Sequence, residues 1–170
     1  MAIQLPDEIA KRHNAVQLEG GYICLTHEFI SPKADQLLSY WDDKRAGRDM
    51  PDWSDIELIE IWDLAPWLMV KERTHDLEWR NRFYGTALAK RLERDATGLL
   101  VREYHPEHEV GDILKGYEMM IEGRSPLRCL GYFVQEGKEH LPYEGIYLPL
   151  TSGGDNVEMM LAIPDYEYTL

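Results

Sequence analysis

Residues 78–98, EWRNRFYGTALAKRLERDATG, change their hydrophobic period in mid-stretch, and no other feature of the chain restricts the fold as much. Before Gly85 the side chains alternate. Trp79, Asn81 and Phe83 share one face of an extended strand, and Arg80, Arg82 and Tyr84 share the other. After it, Gly85, Leu88, Ala89 and Leu92 fall on one helical stripe, which Thr97-Gly98 closes. The strand before Gly85 can therefore be buried on one side and wet on the other. It lacks the two-sided burial of a dinucleotide-binding strand, and no G-x-G-x-x-G follows it, which removes a Rossmann site.

The rest of the chain fits around that unit. Residues 67–73, WLMVKER, read as the preceding strand, with a turn at His75-Asp76. Residues 1–30 show no sustained period and contain Gly20-Gly21, which predicts an irregular or partly helical extension. Ser31-Pro32 opens a helix with Leu37, Leu38 and Trp41 on one face and Gly47 at its end. Ser54 and Glu57 have capping-box spacing, which predicts a second short helix before Pro66. His105-Pro106-Glu107 opens the clearest helix, with a stripe of Val110, Ile113, Leu114, Tyr117 and Ile121 and a stop at Gly123. Strands follow at 127–135, 145–150 and 157–163, the last two joined by a turn at Ser152-Gly153-Gly154-Asp155. The organisation is an N-terminal extension over 1–30, flanking helices over 31–66 and a core domain over 67–165.

Charge narrows the function. A formal net charge of −13 opposes the basic face that nucleic-acid binding needs, so no nucleic-acid partner is expected. No apolar stretch spans a bilayer and the first residues lack a signal-peptide pattern, so a cytoplasmic protein with no membrane partner is expected. Cys24 and Cys129 are too few and too far apart for a disulfide framework or a zinc site.

The chemical motifs have simpler readings. Gly131 and Gly137-Lys138 miss phosphate-loop spacing, and Glu139 stands where a magnesium-binding hydroxyl is required. Gly153-Gly154-Asp155 resembles the hairpin of diguanylate cyclases, but Asn156 and Val157 replace its acidic and aromatic residues. His105 and His108, with Asp112 one turn on, lack a specified third ligand, so capping explains them and no metal is expected. Asp52, Asp55, Glu57, Glu60 and Asp63 read as a solvated acidic face. No nucleophile motif is present, so no catalytic residue is assigned. Tyr40, Trp41, Trp53, Trp62 and Trp67 are dense enough to serve as core or as interface anchors.

The stretches LLSYWDDKRAGRDMPDWSDIE, LAPWLMV, RFYGTALAKRLERDATGLL and YLPLTSGGDNVEMML resemble the bacterial PAS-like family known as PAS_5. The resemblance implies a stand-alone, non-enzymatic sensory domain: a five-stranded antiparallel sheet with helices over one face, plus the N-terminal helical extension. It implies signalling through a small ligand, a protein partner or a homodimer. Neither haem nor flavin is expected. The flavin-binding cysteine motif is missing, and only His108 lies near the position of a haem-ligating histidine.

The expected ligand cavity is walled by Phe83, Leu88, Leu114, Tyr117, Phe133, Ile146 and Leu161, and the expected interface by Leu37, Leu38, Tyr40 and Trp41. The alternative is a small α+β cavity enzyme of isomerase or dehydratase type. It needs a carboxylate and a histidine meeting inside the helix–sheet space, and the sequence predicts that none do.

Overall fold

A computed structural model describes residues 7, 11, 15–18, 21–24, 31–132 and 142–166. Its strands are β1 (Ala15–Leu18), β2 (Gly21–Cys24), β3 (Met69–Arg73), β4 (Trp79–Tyr84), β5 (Leu127–Tyr132), β6 (Pro142–Leu150) and β7 (Met159–Asp165). They form one sheet in the order β1-β2-β5-β6-β7-β3-β4, every neighbouring pair antiparallel. The run β5-β6-β7-β3-β4 is the expected five-stranded sheet.

The hairpin β1-β2 extends that sheet at the β5 edge, where a partly helical extension was expected. AVQL and GYIC are each too short to show a period, and the strand that recruits them, β5, lies far along the chain.

The helices that accompany the sheet among the described residues from 31 onward are α1 (Pro32–Arg45), α2 (Thr86–Leu92), α3 (Val101–Tyr104) and α4 (Glu107–Gly123). Ser31 starts α1 by accepting from Ala34 N at 3.2 Å, with Pro32 in the first turn. Ala34, Leu37 and Trp41 then share its buried face. The expected second helix is instead three 3₁₀ turns, Trp53–Asp55, Leu58–Ile61 and Ala65–Trp67. Their capping box is Asp52 with Asp55, two residues earlier than the Ser54–Glu57 spacing suggests. The second oxygen of Asp52 accepts from Thr151 Oγ1 at 2.9 Å and Gly153 N at 2.7 Å, stitching the β6–β7 turn to this segment. These bonds hold the Asp52 carboxyl far below its ordinary range. Two members of the acidic face are therefore structural.

Gly85 is needed for space. Its φ is an ordinary −61°, but a Cβ there would come within 2.2 Å of Pro66 O. The short turn before β3 thus lies directly on the start of α2.

Register assigns each strand residue to a face, because opposed residues share one. On the first face lie Val70, Phe83, Leu161, Leu148, Ile163, Ile146, Arg128, Glu144 and Asp165. α1 covers it: Trp41 Nε1 donates to Pro149 O at 2.8 Å, and Ser31 bonds Glu144 and Asp165. On the second face lie Met69, Lys71, Asn81, Tyr84, Ala162, Met160, Tyr147, Leu127 and Cys129. Helices α2 and α4 pack over this side through Leu88 and Tyr117. The core helices α2 to α4 therefore cover one face, as expected, and the flanking helix α1 covers the other. Among the described residues no helix is long and apolar enough to cross a membrane.

Candidate functional site

The expected cavity wall does not converge. Phe83, Ile146 and Leu161 lie on the α1 face, whereas Leu88 and Tyr117 lie on the other. Leu114 is half-buried on α4, and Phe133 lies outside the described residues. A one-residue offset explains the split: Tyr147, next to Ile146, and Ala162, next to Leu161, point at α4.

The expected α1 interface also changes. Leu37 and Trp41 are buried in the chain's own core, because α1 lies flat on the sheet. Leu38 is half-buried and lines an open cleft of about 420 Å³ with Trp41, Arg45 and Arg124. The Tyr40 hydroxyl accepts from Glu57 N at 2.9 Å and lies 2.9 Å from Glu60 Oε2, so it is already engaged. Among the described residues the large exposed apolar groups are Ile59, Trp62 and Leu77.

The second face carries the chemistry. Lys71 is fully buried. Its Nζ donates to Asn81 Oδ1 at 2.6 Å and to the Tyr104 hydroxyl at 2.5 Å, and lies 5.2 Å from the Tyr104 ring centre. Among the described residues no carboxylate pairs with it. Burial pulls its amine down to about 7.

The residues of 78–98 build this corner. Asn81 holds its amide oxygen toward Lys71 because its Nδ2 donates to Ala96 O at 3.2 Å. Ala96 is placed by a side-chain turn in which Asp95 accepts from Thr97 N and Thr97 Oγ1. Gly98, at φ +81°, then returns its N–H to Asn81 O at 2.7 Å. An L side chain is strained at that φ, so glycine closes the turn.

Tyr104 ends α3, and burial raises its phenol to about 12. Its ring lies 4.3 Å from that of His105 and 6.4 Å from that of Tyr84. Burial lowers the His105 imidazole. His105 Nδ1 approaches Glu109 Oε2 at 3.7 Å, beyond a normal hydrogen bond. A histidine and a carboxylate do therefore meet at the edge of the helix–sheet space, contrary to the sequence expectation. The turn into α4 brings residues four apart together. Glu109 Oε1 and Asp112 Oδ2 are buried without a hydrogen-bond partner.

Aromatic rings fill the remainder: Trp79 against Tyr117 at 5.8 Å, Tyr117 against Tyr147 at 5.5 Å, and Tyr143 against Tyr166 at 5.7 Å. Burial raises the phenols of Tyr117, Tyr147 and Tyr166 well above their ordinary value. Cys129 shares this face, half-buried. His108 points outward, with 72% of its side chain exposed. Among the described residues no group of three or more His, Cys, Asp or Glu could hold a metal ion.

Sequence reasoning missed Lys71, Asn81, Tyr104 and Tyr147. For the first two a signal existed: Lys71 interrupts LMV-K, and Asn81 sits between Trp79 and Phe83 on a strand expected to bury one face. Polar residues at positions of core parity mark a site or a structural network.

No curated protein matches the chain. A solved structure of an RNA-binding light-oxygen-voltage receptor is similar at 15% identity with a TM-score of 0.45. The similarity covers 68% of this chain and 35% of that one, so this chain spans little more than a third of its length. Residues 30–163 match the sequence profile of PAS_5, described as a PAS domain. That match starts beside the α1 cap, ends within β7 and takes in both faces of the sheet. The chain belongs to the PAS domain family of sensory and signalling domains.

Proposed function

We propose that this PAS domain senses a small molecule held between the sheet and helices α2 to α4, and signals its occupancy through surface contact with a protein partner, a second copy included. The observation that carries the reading is Lys71, a fully buried amine held by two neutral groups with no carboxylate beside it among the described residues. Burying an amine without a counter-ion is costly, and an apolar side chain would close the core at less expense. Chemistry retained against stability is characteristic of a binding site. No haem or flavin enters this reading.

Native mass spectrometry of the purified protein, compared with its denatured mass and its absorbance spectrum, tests it. The reading expects a non-covalent adduct or a raised melting temperature on addition of small organic acids. A ligand-free mass together with no thermal response to any small molecule tried would overturn it.

A second reading, a cavity enzyme, is favoured by one contact, His105 with Glu109. It ranks below the first because the pair is 3.7 Å apart and Asn81 and Tyr104 already hold the amine.

A further inference from the structure

The segment between α1 and β3 sorts its side chains by threes. In a 3₁₀ turn residues three apart eclipse one another. Bonds of that spacing run from Glu60 N to Glu57 O, Leu64 N to Ile61 O and Ala65 N to Trp62 O. Three stripes result. Ile61 and Leu64 are buried in the core, and Leu58 packs against it. Glu57, Glu60 and Asp63 form an exposed acidic stripe. Ile59 and Trp62 form an exposed apolar one, at 74% and 70% exposure. Leu77, by contrast, stands singly on the β3–β4 turn, where an exposed apolar residue is ordinary.

The acidic stripe is held against α1. The Tyr40 hydroxyl accepts from Glu57 N at 2.9 Å, Lys44 Nζ lies 2.6 Å from Glu60 Oε2, and Gln36 Nε2 donates to Asp63 Oδ2 at 2.8 Å. Gln36, Tyr40 and Lys44 follow one another at intervals of one helical turn, so they share a face of α1. Asp43, exposed, lies on that face too. Lys44 neutralises Glu60 alone. Among the described residues no cation pairs with Glu57, Asp63 or Asp43. The apolar stripe therefore sits on a fixed support beside uncompensated negative charge.

Charge decides what can cover Ile59 and Trp62. A second copy would bring another chain of −13 and the same acidic stripe, and like charges across a contact are unfavourable. An anionic lipid surface meets the same repulsion. A segment with basic residues around an apolar stripe satisfies both parts of the surface. An amphipathic helix supplies that pattern compactly, and tryptophan is among the side chains that dominate binding energy when covered.

We propose that Ile59 and Trp62, rimmed by Glu57, Asp63 and Asp43, dock a basic amphipathic helix of a protein partner. This rests on the partner contact in the reading above and not on its ligand.

The test titrates the nitrogen-15-labelled full chain with two amphipathic helical peptides about four turns long, one of leucine and lysine and one of leucine and glutamate. The lysine peptide binds at least about tenfold more tightly than the glutamate peptide, and its shifts centre on the Trp62 indole and the backbone of 57–63. Ile59→Ser/Trp62→Ser keeps the charge and alters only exposed side chains. It weakens the lysine peptide by about tenfold or more, the scale of one hot-spot side chain. Glu57→Gln/Asp43→Asn weakens it by about threefold and flattens its salt dependence. Equal affinity for the two peptides, full affinity in the Ile59→Ser/Trp62→Ser variant, or no binding of the lysine peptide overturns the proposal. Self-association that this variant abolishes assigns the face to a second copy, and Trp62-dependent binding to phosphatidylcholine vesicles assigns it to a membrane. Either result overturns the proposal as well. Native mass spectrometry decides the sensing reading separately. A failed peptide titration leaves a ligand-bound protein a sensor, whereas a ligand-free, unresponsive protein removes sensing without altering the peptide result.

Discussion

The two faces of the sheet treat buried charge in opposite ways. Under α1, Arg128 and Glu144 are both fully buried and ion-paired. Ser31 N donates to Glu144 Oε2 at 2.5 Å, Ser31 Oγ to Asp165 Oδ2 at 2.5 Å, and Lys33 approaches Asp165 at 3.4 Å while lying 4.7 Å from the Trp67 ring centre. Each charge there faces an opposite one, and the cap of α1 closes the set. Under α2 to α4, Lys71 is equally buried but has only an amide and a phenol. Paired charges can serve a structure, by pinning a helix to a sheet. A lone buried amine weakens a structure unless something else occupies the space beside it.

The contrast breaks most severely at Glu144. Glu144→Gln leaves Arg128 buried opposite a neutral amide, and removing one partner of a buried pair costs about 3–5 kcal/mol. Chemical denaturation should show a large loss of stability. A loss below about 1 kcal/mol would mean that water reaches this cluster.

Lys71→Met should act in the opposite direction. Replacing a buried charged group by an apolar one of similar shape stabilises by about 1–4 kcal/mol, so the variant melts higher than the wild type at pH 6. The difference depends on pH. Below about 7 the amine is charged both folded and unfolded, and the penalty of burial is complete. Above that value it is neutral only when folded, so wild-type stability rises with pH toward the free lysine range near 10.4. The groups around the amine are Asn81 on β4, Tyr104 on α3, and His105 with Glu109 at the start of α4. The raised phenol and lowered imidazole place these two neighbours outside the interval from about pH 7.5 to 9.5. Over that interval the gap between wild type and Lys71→Met should narrow, and a constant gap would show that the amine is ordinary.

Two smaller changes sharpen the picture of the α1 face. Ser31→Ala removes the helix cap and the hydroxyl on Asp165 together, and should cost about 1–2 kcal/mol in the same denaturation experiment. Asp52→Ala unties the Ser54 cap and the Gly153 turn for about 1 kcal/mol. Hydrogen exchange should quicken at Ser54 and Gly153 while Lys71 and its neighbours stay unaffected.

Much of the fold was legible because it is written in local periods. The strand-to-helix switch at Gly85, the Ser31-Pro32 cap and the long helix from Glu107 each announce themselves within a few residues. The β1-β2 hairpin was not legible, since short strands depend on an edge supplied by distant β5. The face assignment failed for a related reason. Alternation in β6 and β7 is masked by burial on both sides: Met159 to Asp165 are buried without exception, so apolar character cannot say which parity faces α4. The site itself turned on the polar residues inside apolar strands, Lys71 and Asn81, whose meaning depends on Tyr104 arriving from another element.

The most direct test is NMR of the full chain with carbon-13 at the lysine ε positions, assigned by Lys71→Met and followed as a function of pH. A Lys71 signal that titrates near 7 is the predicted result, because burial without a counter-ion disfavours the charged amine. A Lys71 signal at the ordinary lysine value near 10.4 would contradict the account.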